Sequence, residues 1–434
     1  MPEPTEPLST IPARQVAAVV IGNALEFYDF LTYAFFAVYI GRAFFPSDIP
    51  SASLLASLAT FGAGFVTRPV GSLVIGRMGD RAGRRPAMVL SFSLMGLAIV
   101  GLALTPSQVS IGVAAPILAI FFRMLQGFAL GGEVGPTTAF LLEAAPPERR
   151  GFYAAFQAWT QDLSILCAGL VGFGLARILN ERQLQGFGWR IAFLLGAAVV
   201  PFGLWIRRSL PETYSAHEGG VRERVPLRPY LWVAVIGLTV LASGTIGTYL
   251  KNYMTTYAIA TLHMTPTAAF AATIVAGFTG VCVDLVSGAL SDRVGRRIMM
   301  LAPTGMLLVS ILPAFSIISH FRSTAALLGA TFVLSIFSST ATCIMVIWLA
   351  ESFPKAIRSG GVSVVYAFAI AIFGGSTQYV VTWLIRLTGN PLAPAWYWTV
   401  AVLFGLAAIY ATRETAPRKS RVAQSVEVAP GDAR

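Results

Sequence analysis

Charged residues are scarce: Asp, Glu, Lys and Arg make up 12% of 434 residues, about half the share of an ordinary soluble domain. With 56% hydrophobic residues and a mean hydropathy of +0.70, the chain is excluded from the soluble globular class and belongs in lipid. Cysteine is scarcer still. Cys167, Cys282 and Cys343 stand singly in apolar runs with no CxxC spacing, which excludes a disulfide scaffold and a thiolate metal site. The only lysines, Lys251, Lys355 and Lys419, follow Leu, Pro and Arg. No GxxxxGK[ST] loop exists, so this chain alone is no ATP-driven pump. His217, His263 and His320 fall in loops or at helix ends without an HExxH motif; this argues against an intramembrane metalloenzyme and a histidine proton relay, and leaves carboxylates for proton chemistry.

What the chain has in abundance is apolar runs. A hydrocarbon core about 30 Å thick needs roughly 20 apolar residues per helix, and twelve stretches between residues 16 and 412 satisfy this. They are helices, because lipid-facing open strands leave backbone groups unsatisfied. If the spans alternate, 22 of the 31 basic residues fall on the side of the N-terminus. That bias predicts both termini in the cytoplasm, and it accounts for the net charge of +11 without nucleic acid. The first apolar run contains Glu26 and Asp29 and is too long for a signal-peptide core, so no cleavage is expected. The segment after Thr412 reads as a short disordered tail, and no connection is long enough for a soluble enzyme domain.

An internal repeat organises the spans. GRMGDRAGRR (76–85) after the second span and GALSDRVGRR (288–297) after the eighth share Gly76/Gly288, Asp80/Asp292, Arg81/Arg293, Gly83/Gly295, Arg84/Arg296 and Arg85/Arg297. Glu143, Pro146 and Arg150 are echoed by Glu351, Pro354 and Arg358, and PET (211–213) by RET (413–415). Offsets near 200 residues predict an N-terminal half (1–206), a central loop (207–229), a C-terminal half (230–412) and a tail (413–434). Parallel repeats in a membrane protein suggest alternating access around a central site.

The repeated G-x-x-x-D-R-x-G-R-R segment resembles the signature loop of the major facilitator superfamily, and Arg123, Gln126 and Gly127 resemble its RxxQG motif. GNALEFYDF (22–30), RPVG (68–71), RMLQGFALGGEVG (123–135), RRGFYAAFQ (149–157) and AIFGG (371–375) are similar to the metabolite:proton symporters, most closely those of citrate and tricarballylate. The resemblance implies an all-α polytopic fold of twelve helices in two six-helix pseudo-symmetric halves, and no enzyme. It implies a multi-pass protein of the inner membrane, functional as a monomer, that takes a small organic anion and protons with no other cofactor or metal. Relatives with similar motifs carry dicarboxylates such as 2-oxoglutarate, shikimate, or proline and betaine, and a non-transporting sensor on the same scaffold stays open. In such a family the loop charges Asp80, Arg81, Asp292 and Arg293 latch the halves; the alternative is that they only set topology.

A charge at the bilayer centre costs on the order of 3 kcal/mol. Eight residues incur it: Glu26, Asp29, Arg68, Arg123, Glu133, Asp162, Lys251 and Asp284. Acids outnumber bases, so an anion meets repulsion unless acids are paired or protonated, which is a motive for proton coupling. Asp29, Arg123 and Asp162 lie near the midplane by helical rise. Asp29 with Arg123 is the expected coupling pair, Glu26 next and Glu133 a further candidate toward the cytoplasm; a static ion pair is the alternative. Substrate is expected at Asn23, Arg123, Gln126, Gln157, Gln161, Lys251, Asn252, Tyr366 and Gln378, with Ser338 and Ser339 able to contribute hydroxyls. Lys251 either clamps a carboxylate opposite Arg123 or snorkels outward, and Arg68 is expected to snorkel structurally.

Overall fold

The computed structural model describes residues 13–82, 84–131, 134–209, 228–355 and 357–416. Apolar residues dominate every long helix, and Pro, Gly or a capping side chain punctuates them. In the first half, α1 runs Ala13–Phe35 and resumes at Ala37–Phe44. Next, α2 runs Pro50–Val66 and Arg68–Ala82, and α3 runs Arg84–Leu104. Then α4 is Ala114–Leu130 with Val134–Glu143, α5 is Arg150–Ala154 with Phe156–Ile178, and α6 is Trp189–Ser209. In the second half, α7 is Leu231–Ala260, α8 Pro266–Val294, α9 Arg296–Phe321 and α10 Thr324–Ser352. Then α11 runs Arg358–Ala369, a wider π turn Ile370–Gly374 and Gly375–Thr388, and α12 is Ala393–Tyr410.

Eight of these, α2, α5 and α7 to α12, are individually long and apolar enough to cross a membrane. Their outward sides expose Leu170, Phe278, Val286, Val309 and Phe404, apolar surface suited to acyl chains. On one face the helix starts are capped: Thr265 accepts from the Ala268 amide ahead of α8, and Ser323 from the Ala326 amide ahead of α10. On the other, α8 and α9 are joined by Gly295 alone, at φ +110°, a conformation that favours glycine. This second face carries the basic loops and is called the basic face below.

The halves meet along α5 with α8 and α2 with α11. At the first contact, a methyl added at Gly277 would strike Leu166, and one at Gly280 would strike the Asp162 carboxyl. At the second, Gly62 abuts the Gly375 backbone. Without a hydrophobic drive between helices in lipid, such close backbone approach supplies the attraction. Contacts bridge the halves toward both ends of the interface. Toward the basic face Asp292 accepts from the Gly151 and Phe152 amides; toward the other, Phe36 packs on Phe270 at 5.0 Å and the Thr256 hydroxyl donates to the Ala34 carbonyl.

Two expectations need correction. The segment after Thr412 is not simply disordered: Glu414 accepts from the Arg296 and Arg297 amides at 2.8 and 3.2 Å, and the Arg413 carbonyl accepts from Trp348. A carboxylate on the first amides of α9 satisfies donors that have no partner within the helix. Nor does the eleventh span run as an uninterrupted α-helix, since a π turn interrupts α11 at Ile370–Gly374. Most of the expected central loop and most of the tail lie outside the described residues.

Candidate functional site

On α4, Arg123 and Gln126 stand one turn apart, and the Arg123 Nη1 donates to Gln126 Oε1 at 2.7 Å. The guanidinium is completely buried among rings: Phe30 at 3.8 Å, Tyr33 at 4.6 Å and Phe61 at 4.6 Å from its carbon. Arg68 lies over Phe30 at 4.3 Å and Phe65 at 4.5 Å. A desolvated cation over an aromatic face gains about 2 kcal/mol, which helps offset burial. In both arginines Nε and Nη2 find no hydrogen-bond partner among the described residues. Two guanidinium forks with open donors are the geometry that binds carboxylates in parallel pairs.

Arg68 therefore does not snorkel. It is 3% exposed and lines a narrow cavity with Leu130, Gly131, Val134, Ser363, Tyr366 and Ala367, so the cavity spans α2, α4 and α11 from both halves. Its distance from the helix end permits snorkelling and gives no sign of this enclosure. The usable signal was Phe61, Phe65 and Arg68 at helical spacing, which puts two rings and the cation on one face.

Lys251 on α7 is 4% exposed, so it does not snorkel either. Its Nζ donates to Ser339 Oγ on α10 at 2.5 Å, and Ser339 donates to Asp162 Oδ2 on α5 at 2.9 Å. The Lys251–Asp162 separation is 3.9 Å. A cation and a hydroxyl of the second half thus hold a carboxylate of the first. Asp162 was placed near the midplane by its depth but not selected; its partner is set by packing across the halves, which no spacing within one helix reveals.

The amide-bearing candidates fall into pairs. The Asn23 amide donates to Thr160 at 2.5 Å and to Gln157 at 3.4 Å, linking α1 to α5. Gln161 donates to the Tyr366 hydroxyl at 3.4 Å across the halves. Gln378 donates to the Tyr249 carbonyl at 3.3 Å. Asn252, 1% exposed, has neither amide atom bonded among the described residues. The side chains of Glu26 and Asp29 on α1, and Glu133, lie outside the described residues.

Of the loop motifs, the side chains of Gly76, Asp80, Arg81, Arg84 and Arg85, and all of Gly83, are likewise outside. In the second copy, Arg296 is fully enclosed, with Nη2 2.7 Å from Asp292 and 2.8 Å from Glu351, while its Nε donates to Glu351 at 3.0 Å. Gly288 packs on Gly151 and Ala155. Arg297 donates to the Tyr410 carbonyl at 2.6 Å within its own half. Arg293 is exposed, so the bond across the halves belongs to Asp292 held by Arg296. A second link is Arg358 to Glu143 at 3.8 Å.

The family described as Sugar (and other) transporter matches residues 15–224, and that described as Major Facilitator Superfamily matches residues 241–430. The citrate-proton symporter of Salmonella typhi is 34% identical over 403 residues, 91% of this chain and 92% of that protein. The alpha-ketoglutarate permease of Escherichia coli (strain K12) is 34% identical over 90% of this chain and 91% of its own length. A putative proline/betaine transporter of Staphylococcus aureus (strain MSSA476) is 32% identical over 91% and 87%. Among solved structures, that of a D-xylose-proton symporter superposes with TM-score 0.76 at 17% identity, covering 93% of this chain and 99% of that one; this likeness concerns the fold.

Proposed function

This chain belongs to the major facilitator superfamily, and on that premise we propose that it is a proton-coupled symporter. It imports a small organic anion, citrate or a related tricarboxylate, across the inner membrane by alternating access, with the basic face in the cytoplasm. The observation that carries the anion is the pair Arg68 and Arg123, buried over one Phe30 ring with open Nε and Nη2 donors. Two guanidiniums without a carboxylate partner among the described residues suit an anion with several carboxylates better than a zwitterion. The naming of relatives as citrate-proton symporters supports the same reading. The fold supplies the cycle, since the two halves touch through small residues and polar bridges that can part at one end while the other stays closed.

Uptake into proteoliposomes tests this. Citrate and tricarballylate are expected to accumulate under an inward proton gradient more than 2-oxoglutarate, shikimate or betaine. Accumulation indifferent to the gradient, with anion exchange intact, would refute symport. Accumulation of betaine alone would refute the anion.

Asp292 is the proposed latch of the cytoplasmic end. Asp292→Ala removes both acceptors from the Gly151 and Phe152 amides and is expected to shift the population toward the conformer open on that face. A cysteine placed at Ser363, beside Arg68 in the narrow cavity, should then react faster with a water-soluble maleimide. Unchanged labelling would assign these charges to topology alone.

A further inference from the structure

Asp284 is the one intramembrane acid whose side chain is described and has no use so far. It lies in α8, 18 residues after Pro266 and ten before Val294, hence about 27 Å and 15 Å from the two ends by helical rise. It is 0% exposed, and neither Oδ1 nor Oδ2 has a hydrogen-bond donor among the described residues. One turn away on the same helix, Gly280 lies against the Asp162 carboxyl. Among the described residues, the charges of Asp162 on α5 and Lys251 on α7 act on Asp284, and the Cys343 Sγ on α10 lies 3.7 Å from the Asp284 backbone carbonyl.

Charge balance decides what this cluster holds. Asp162, Asp284 and Lys251 sum to one negative charge if all are ionised, and all three side chains are buried. Lys251 and Ser339 already serve Asp162. An ionised carboxylate with no donor in such a place costs several kcal/mol; one bound proton removes that cost and makes the cluster neutral.

We propose that Asp284 is a proton-binding site, and that Lys251 exchanges its carboxylate partner between Asp162 and Asp284 as the halves move. Asp162 belongs to the first half, whereas Asp284, Lys251 and Ser339 belong to the second. In the closed state Lys251 pairs with Asp162 and Asp284 carries the proton. When the basic face opens, α5 withdraws from α8 and takes Asp162 with it into the hydrated cleft. The Lys251 ammonium then turns to Asp284, whose O–H bond breaks and whose proton leaves to water on that side. Each state keeps one ammonium against one carboxylate within reach, so neither leaves a bare buried charge. A partner swap of this kind is a two-position element that a proton and a substrate carboxylate can both bias.

The proposal rests on the proton-symport reading, and the experiment separates the two. In the purified full-length protein at neutral pH, the infrared spectrum should show a protonated-carboxyl C=O band that disappears in Asp284→Asn, shifts in Asp284→Glu, and is lost in Asp162→Asn, where Lys251 has only Asp284 left to pair with. Its absence from the unsubstituted protein, or its persistence in Asp284→Asn, overturns the assignment whatever the transport result. In proteoliposomes, Asp284→Asn should retain counterflow but reach no more accumulation with a proton gradient than without one, while Asp284→Glu keeps gradient-driven uptake. If the unsubstituted protein ignores the gradient, the symport reading fails. If it responds and Asp284→Asn responds equally, only the role of Asp284 fails.

Discussion

Lys251→Met alone should lower stability by about 3–5 kcal/mol, the cost of leaving a buried carboxylate without its cation, and combining it with Asp162→Asn should restore most of that loss. The reasoning is a comparison of magnitudes. At the observed 3.9 Å and an effective dielectric near 20, the pair attracts by about 4 kcal/mol. Desolvating the two ions costs several kcal/mol each, so the intact pair adds little net stability, while either member alone is a liability. A pair with that balance is poorly explained by holding helices together and well explained by being broken and remade. Thermal unfolding of the purified single and double variants gives the cycle, and because the double variant recovers most of the loss, an interaction energy of about 3 kcal/mol, at the upper end for groups in direct contact, is expected. Additive single effects would show that the two residues do not act as a pair. The single variants should also lose gradient-driven accumulation, because the partner available to Lys251 differs between conformers.

Arg123→Lys should raise the apparent KM for citrate about 10- to 100-fold, since a charge-assisted hydrogen bond contributes roughly 1.5–3 kcal/mol. The substitution keeps the charge and removes the planar fork, so it asks whether the two open donors bind carboxylate together. The compact ammonium also stacks less well over Phe30, Tyr33 and Phe61, now at 3.8–4.6 Å from the guanidinium carbon. Equilibrium binding of citrate to the purified variant separates affinity from turnover. An unchanged affinity would refute bidentate recognition and leave Arg123 as a packed cation. Arg68→Lys, tested alongside, should weaken citrate more than a monocarboxylate if the two guanidiniums receive different carboxylates of one substrate.

The depth of a charge is readable from the helical rise, which puts Arg123 and Asp162 near the midplane. Depth does not report direction. For Arg68 and Lys251, position along the helix permitted outward snorkelling, whereas the rings Phe30 and Phe65 and the hydroxyl Ser339 turn both side chains inward. Ser339 shows the limit in another way. As a lone transmembrane hydroxyl it ranks among many that bond their own backbone, and only its position between Lys251 and Asp162 singles it out. Gly280 likewise reads as one more small residue until the Asp162 carboxyl occupies the space of its missing side chain.

The chain's poverty in charge and its apolar runs dictate a bundle of membrane helices, because lipid admits little else. Its duplicated Asp-Arg-x-Gly-Arg-Arg loops dictate two halves facing the same way. Those are one-dimensional properties, set by spacing and by the cost of exposing backbone and charge to hydrocarbon. Which cation meets which carboxylate is of another kind. Lys251 and Asp162 are 89 positions apart on different halves, and what joins them is the close approach of α5 to α8 through Gly277 and Gly280. Packing at that contact sets a distance of 3.9 Å between the charges, and the short range of hydrogen bonds makes it decisive.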